Sequence, residues 1–436
     1  MKNWGRGRIF ISFVIVFGGT VLALALRSGE ILLSIMTVAY LILMYYIDKI
    51  EPEPYRDMDL EKLKIDLFLW SLFPMIFGAF GAAGILDLHF YFVFRDIAFT
   101  ALASVLAFMI ILNMDSHTDF RPNRLFTVSF IIITTIGVGI VFGVIRFLSD
   151  QYLNTGFLGG NTHLMVYLII ITLIGISIGV NLMDYIDSYE FFPMENVVSD
   201  FKLKDDFIGY REEFLKVLES LFGEYDYPSF MVVSRILQIG IFAIVIYGFL
   251  IERWVIFSWS VFSLIFAISP DIFKRNTGYN VPSVIYLWTT LVIFLYAFGR
   301  PMGFYRYFYW WPGITHFLTG TLVAVLVFSL LVYSGRVSKN LYIPSYFIPL
   351  IVLFSIFSIG VIWEISEFFV DVSFEMKLQA GIEDTVFDLL CNFGGTVFSL
   401  ILIYNMTDGW TSRETGKKST LIQSIKKMFN NFKKGP

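Results

Sequence analysis

Cysteine, histidine and charge are what this 436-residue sequence has least of: one Cys, four His and 16% charged residues. The lone Cys391 excludes an intramolecular disulfide and any cysteine-only metal site. No HExxH, no glycine-rich phosphate loop and no Ser-His-Asp spacing occurs, so metalloprotease, P-loop and triad-hydrolase readings lack their motifs. An average soluble domain carries roughly 25% charge, and the shortfall here leaves too little polar surface for a chain of this size in water. A formal net charge of -4 offers no domain-wide basic field, which excludes nucleic acid as a partner.

What the sequence has instead is apolar length. Hydrophobic residues make up 57% of it and the mean hydropathy is +0.71. They arrive as continuous runs long enough to cross a hydrocarbon core about 30 Å thick, not as the alternating ~10-residue segments of a barrel. The expected fold is therefore all-α, a polytopic integral membrane helical bundle with about twelve spans. The runs lie near 9–26, 31–47, 65–86, 92–112, 125–147, 164–183, 236–251, 254–269, 283–298, 314–333, 345–370 and 385–405. They divide the chain into a six-span module over 1–183, a loop over 184–235, a second membrane module over 236–405 and a basic tail over 406–436. The first run, although it ends in Ala23-Leu24-Ala25, reads as an uncleaved anchor.

Positive loops resist translocation, so Lys and Arg counted on alternate sides orient the bundle. With these spans, 25 of the 32 fall on one side, which is expected to be the cytoplasm, and both termini lie there in the cell membrane. Arg27, Arg146, Arg253, Arg300, Arg306 and Lys377 fall on the other side, with Arg95 near the foot of its span. Two aqueous segments are amphipathic. Within the 184–235 loop, Phe214, Leu215, Leu218, Leu221 and Phe222 share one helical face. In the tail, Leu421, Ile422, Ile425, Met428, Phe429 and Phe432 form a stripe opposite Lys426, Lys427, Lys433 and Lys434, as expected of an in-plane helix on the anionic inner leaflet.

Ionisable residues inside spans are the natural candidates for chemistry, because each costs roughly 2.5 to 3.5 kcal/mol near the bilayer centre on insertion scales. Nearly all of them fall in the last three spans. His316 lies one turn into span ten, Glu364 and Glu367 are i,i+3 on span eleven, and Asp384, Asp388 and Asn392 step by four along span twelve. Each set forms one polar stripe on its helix. By the expected topology all three stripes lie in the outer half of the membrane, where they can converge on one pocket. His316, Glu364, Glu367, Asp384 and Asp388 are the candidate catalytic residues, with Asn392, Trp311 and Arg306 as candidate ligand contacts. Gly394 and Gly395 would let a neighbouring helix approach closely.

The acidic excess around this cluster calls for protonated carboxylates or for a cation. A carboxylate-plus-His set would suit a divalent ion such as Mg²⁺, Mn²⁺ or zinc, but no ligand set is assigned and the cofactor stays unknown. The aromatic segment Gly299 to Gly313 reads as an interfacial belt, with a sugar-stacking platform as its alternative.

At these residues the chain resembles a known group. Trp311 through Ala324 (WPGITHFLTGTLVA), Trp363-Glu364-Ile365-Ser366-Glu367-Phe368 and Glu383-Asp384-Thr385, with Asp388-Leu389, Asn392 and Gly395, follow the His, Glu, Asp pattern of YjdF-type membrane proteins in the VanZ-like superfamily. The resemblance covers about residues 283–405 and implies a small helical module whose polar residues face one another, in a group mostly without assigned biochemistry. Where that group often has an acidic residue ahead of the His segment, this chain has Pro312. Tyr46 to Pro54 (YIDKIEPEP) resembles the start of PrsW-type membrane proteases, whose downstream paired glutamates are missing here.

The reading that uses most of these residues is a pocket that binds, and acts on, a lipid or polyprenyl-linked head group. A transporter or channel using the intramembrane carboxylates is the alternative, and a non-catalytic scaffold or sensor is the third. Membrane lipids are the expected partners in all three, and whether the protein is an enzyme is not fixed by the sequence.

Overall fold

Runs rich in Leu, Ile, Phe and Val with no water to satisfy their backbone have one local solution, the helix, which closes every N–H and C=O on itself. The computed structural model describes residues 3–28, 31–47, 49, 60–82, 88–154, 158–188, 217, 218, 221, 227–277, 281–338, 341–374, 376 and 378–406. Among them there is no strand, and the chain is all-helical. The helices are α1 (Asn3–Ser28), α2 (Ile31–Ile47), α3 (Leu60–Ala82), α4 (Leu88–His117), α5 (Arg124–Leu153), α6 (Asn161–Ser188), α7 (Pro228–Leu250), α8 (Trp254–Ala267), α9 (Ser269–Thr277), α10 (Ser283–Gly299), α11 (Phe304–Tyr307), α12 (Trp311–Val337), α13 (Ile348–Phe374) and α14 (Ile382–Met406).

Among the described residues seven stretches are long and apolar enough to cross a membrane: Arg95–His117, Arg124–Leu153, Asn161–Leu182, Pro228–Leu250, Trp311–Gly335, Ile348–Phe374 and Ile382–Asn405. The bent pair Trp254–Ala267 and Ser269–Asn276 makes an eighth if it is one span. Phe10–Leu26, Leu33–Ile47 and Ser283–Gly299 are apolar but shorter. Every one of the twelve expected runs falls on a helix, while the number that cross the bilayer is not fixed beyond these seven or eight. The basic tail lies outside the described residues, as does most of the loop helix; of the latter Val217, Leu218 and Leu221 are described, all buried.

The helices group into two compact units, neither continuous in sequence. The first takes in residues 1–196, 340–344 and 357–382, the second 197–339, 345–356 and 383–436. In the first, Asn123 caps α5 by accepting the Phe126 amide at 2.8 Å, and Asn154 closes its far end with φ 53°. The later segments are tied in by an isolated bridge between Arg121 and Tyr342, by Ser358 Oγ donating to the Ile133 carbonyl at 3.0 Å and by Asn161 Nδ2 donating to Gln379 Oε1 at 3.0 Å.

This unit also corrects an expectation. Arg95, Asp96 and Arg146, on α4 and α5, are buried together, so intramembrane charge is not confined to the last three spans. Arg146 Nη2 reaches Asp96 Oδ1 at 2.6 Å and stacks 4.8 Å from the Tyr167 ring, while Arg95 Nε lies 3.5 Å from the same carboxylate oxygen. Arg146 is thus an interior ion-pair member and not a loop charge. The pairing is what lets it sit there, since a lone guanidinium would carry the full desolvation cost.

In the second unit α7 begins at Pro228, two turns earlier than its hydropathy suggests, because proline needs no amide partner in a first turn. Arg235 therefore sits within the helix instead of in the loop. Its two terminal nitrogens meet both oxygens of Asp271 at 2.7 and 2.6 Å, and Gln238 Nε2 bridges to the Ala267 carbonyl at 2.8 Å and to Tyr286 Oη at 3.0 Å. Tyr286 also donates to Asp271, so α7, α9 and α10 are pinned at one end. At the other end α7 turns directly into α8 through Glu252, whose φ is 56°. Gly248 makes the turn tight: a Cβ there would stand 2.7 Å from the Phe257 amide nitrogen.

Candidate functional site

Three of the predicted residues meet inside the second unit. His316 lies on the second turn of α12, and Asp388 and Asn392, four apart, lie on one face of α14. All three are buried. The Asn392 amide nitrogen stands 3.3 Å from His316 Nδ1, and His316 Nε2 stands 3.4 Å from Asp388 Oδ2. An amide nitrogen only donates, so the ring accepts at Nδ1 and carries its proton on Nε2, facing the Asp388 carboxylate. One imidazole is thereby held between a neutral donor and an acid, an arrangement suited to moving or sharing a proton.

The two helices cross closely enough to build this contact because their facing positions have no side chain. A Cβ on Gly395 would fall 2.2 Å from the Phe317 carbonyl oxygen, and one on Gly320 would fall 2.7 Å from the Asn392 carbonyl oxygen. Ser399 Oγ donates to the Thr321 carbonyl at 2.7 Å and Thr321 Oγ1 to the Gly395 carbonyl at 3.2 Å, locking the register. The close approach expected of the glycine pair belongs to Gly395; Gly394 has only ordinary contact with Phe317 at 3.7 Å.

Asp384 is half-buried in the first turn of α14, where a carboxylate is favoured by the helix dipole. Trp311 is buried with its ring 4.7 Å from Phe304, and Gly299 makes the room, since a Cβ there would meet Trp311 Nε1 at 2.3 Å. Arg306 is exposed, its guanidinium 6.0 Å from the Tyr307 ring. Around it Tyr307 and Tyr309 project outward, 72% and 87% exposed, while Phe304, Phe308, Trp310 and Trp311 pack on one another as a belt would.

The paired glutamates belong to the first unit. Glu364 and Glu367 are buried one turn apart on α13. A residue that sequence reasoning passed over holds the first of them: Gln379 Nε2 donates to Glu364 Oε2 and to its backbone carbonyl, both at 3.0 Å. The turn that carries Gln379 is itself fixed by Asp371, whose carboxylate accepts the Leu378 amide at 2.6 Å and the Gln379 amide at 3.0 Å. Asp371 is therefore a cap for the return loop. Glu375 and Lys377 lie outside the described residues.

An all-helical chain with buried ionisable groups in long apolar helices is a multi-pass membrane protein. Residues 233–409 match the family described as a predicted membrane protein, DUF2238, which includes YjdF-type proteins. The match begins about fifty residues before the part read as similar from motifs, so α7 to α9 belong to the matched region along with the polar helices. No curated protein and no solved structure matches the chain.

Proposed function

We propose that the protein binds, and chemically alters, the head group of a membrane lipid or polyprenyl-linked molecule, and that His316, Asp388 and Asn392 form the proton-handling part of the site. The observation that supports it is the buried His316 held 3.4 Å from Asp388 and 3.3 Å from Asn392 within apolar helices. A structural need for helix contact is already met there by Gly320, Gly395, Thr321 and Ser399. Three further buried polar side chains add desolvation cost without being required for that packing. Glu364, Glu367 and Asp384 enter the proposal by their residue pattern, as carboxylates for acid–base work, and Trp311 and Arg306 as ligand contacts. The head group is taken to be reached from the outer side of the cell membrane, with both termini in the cytoplasm and the tail on the inner leaflet.

The test is the lipid and polyprenyl head-group profile, by mass spectrometry, of cells lacking the gene and complemented with variants. His316→Ala and Asp388→Asn should insert at the wild-type level and still leave the profile of the deletion. A wild-type profile in both variants, or a deletion that changes no head group, rules the reading out.

A further inference from the structure

Arg300, the C-cap of α10, lines a cleft within the second unit. The cleft is narrow and open at its mouth, and Ile256, Trp259, Ser260, Ser263, Tyr296 and Ala297 form its walls with Arg300. The guanidinium lies 5.4 Å from the Trp259 ring and 5.3 Å from the Tyr305 ring, within cation–π range of both. Its Nε is buried and makes no hydrogen bond, and among the described residues Arg300 has no carboxylate partner. That sets it apart from Arg146 and Arg235, each of which meets an aspartate at 2.6 Å. A half-buried guanidinium at a helix end without an anion partner is open to an anionic ligand.

The rest of the cleft supplies what an oxyanion would use. Ser260 and Ser263 are one turn apart on α8, and neither hydroxyl hydrogen-bonds to another described residue. Two hydroxyl donors and the planar guanidinium fork match the oxygens of a phosphate. Phe262, Ile265 and Phe266, on the same helix, are about half exposed. Tyr296 forms one wall of the cleft and its ring lies 6.5 Å from that of His316, so the cleft and the His316 site adjoin across a single side chain.

We infer that the Arg300 cleft, with Ser260 and Ser263, is a seat for the phosphate group of an anionic lipid. It stands on its own geometry and does not require the His316 set to be catalytic.

The full-length protein purified in detergent, delipidated and titrated with phosphatidylglycerol is followed by native mass spectrometry and thermal shift. Wild type should retain the lipid, Arg300→Gln should weaken retention about ten-fold or more, and Arg300→Lys less, as expected for loss of a charge-assisted, forked contact. Arg275→Gln, an equally charged but exposed position on α9, should retain it as wild type does. Should Arg300→Gln not fold, the Ser260→Ala/Ser263→Ala double variant takes its place, with a loss of about three-fold or more expected. Inorganic phosphate alone gives the second arm: stabilisation that Arg300→Gln abolishes supports the phosphate seat with a soluble source, and its absence beside lipid retention supports the lipid. Equal lipid retention by wild type and the folded Arg300 or double-serine variant overturns the inference, as does an equal loss in Arg275→Gln. Because retention is read without any reaction, a failed head-group profile would sink the proposed function and leave this result standing.

Discussion

A single charge inside the first unit shows how much a side chain's partner decides. Asp96 lies 2.6 Å from Arg146 and 3.5 Å from Arg95, all three buried. Removing the acid strands two guanidiniums at once, and Asp96→Ala should cost about 3 to 5 kcal/mol. Adding Arg146→Leu to that variant should restore a good part of the loss, since no unpaired charge then remains at that position. Thermal unfolding in detergent reads both; a single variant as stable as wild type would show that the pair is not a structural one. The same scale explains what the sequence could reveal. His316, Asp388 and Asn392 were legible because the last two step by four on one helix and the first sits in an apolar run. Gln379 was not, because a loop glutamine carries no spacing, and only the folded chain brings it to Glu364. The cleft at Arg300 was not legible for a related reason: a residue at a helix end looks the same in sequence whether it meets water or a cleft.

At the scale of helices, two glycines that adjoin in sequence have different work. Gly395 faces the α12 backbone, where a side chain would collide with the Phe317 carbonyl, whereas Gly394 has room. Gly395→Val should separate α12 from α14, lowering stability by about 1 to 3 kcal/mol, and should abolish whatever His316 does along with it. Gly394→Ala should be close to neutral in both respects. Thermal unfolding and the head-group profile, measured on the pair, decide the matter; equal effects would mean that the crossing is not held where Gly320 and Gly395 place it. Helix positions themselves were plain from apolar runs, since period and length survive without knowledge of the fold. Their ends were less so. Pro228 and Arg235 extend α7 by two turns because a proline start and an interhelical Asp271 contact override local polarity, and neither effect appears in a hydropathy average.

For the molecule as a whole, the open quantity is the number of crossings. Seven or eight helices meet the length requirement outright, and the shorter apolar ones decide the rest. With the twelve expected spans 25 of the 32 Lys and Arg fall on one side, from which the ends of the chain are expected to share a side and the number to be even. Reporter fusions at residues 1, 190, 278, 339 and 436 should all report the cytoplasm, and fusions at 156 and 303 the opposite side. A tail reporting the exterior would show an odd count and undo the orientation on which an outward-facing site depends.

The first unit is assembled from distant parts of the chain: residue 121 pairs with 342, and Asn161 bonds Gln379. During synthesis its opening six helices are therefore made long before the segment that completes them, and the unit cannot close until residue 382 has left the ribosome. Over that interval α4 and α5 must keep company in the bilayer without their final neighbour. The Asp96–Arg146 pair and the buried contact of Ser104 Oγ with Thr135 Oγ1 at 3.0 Å, both made wholly from early sequence, are available to hold them while they wait.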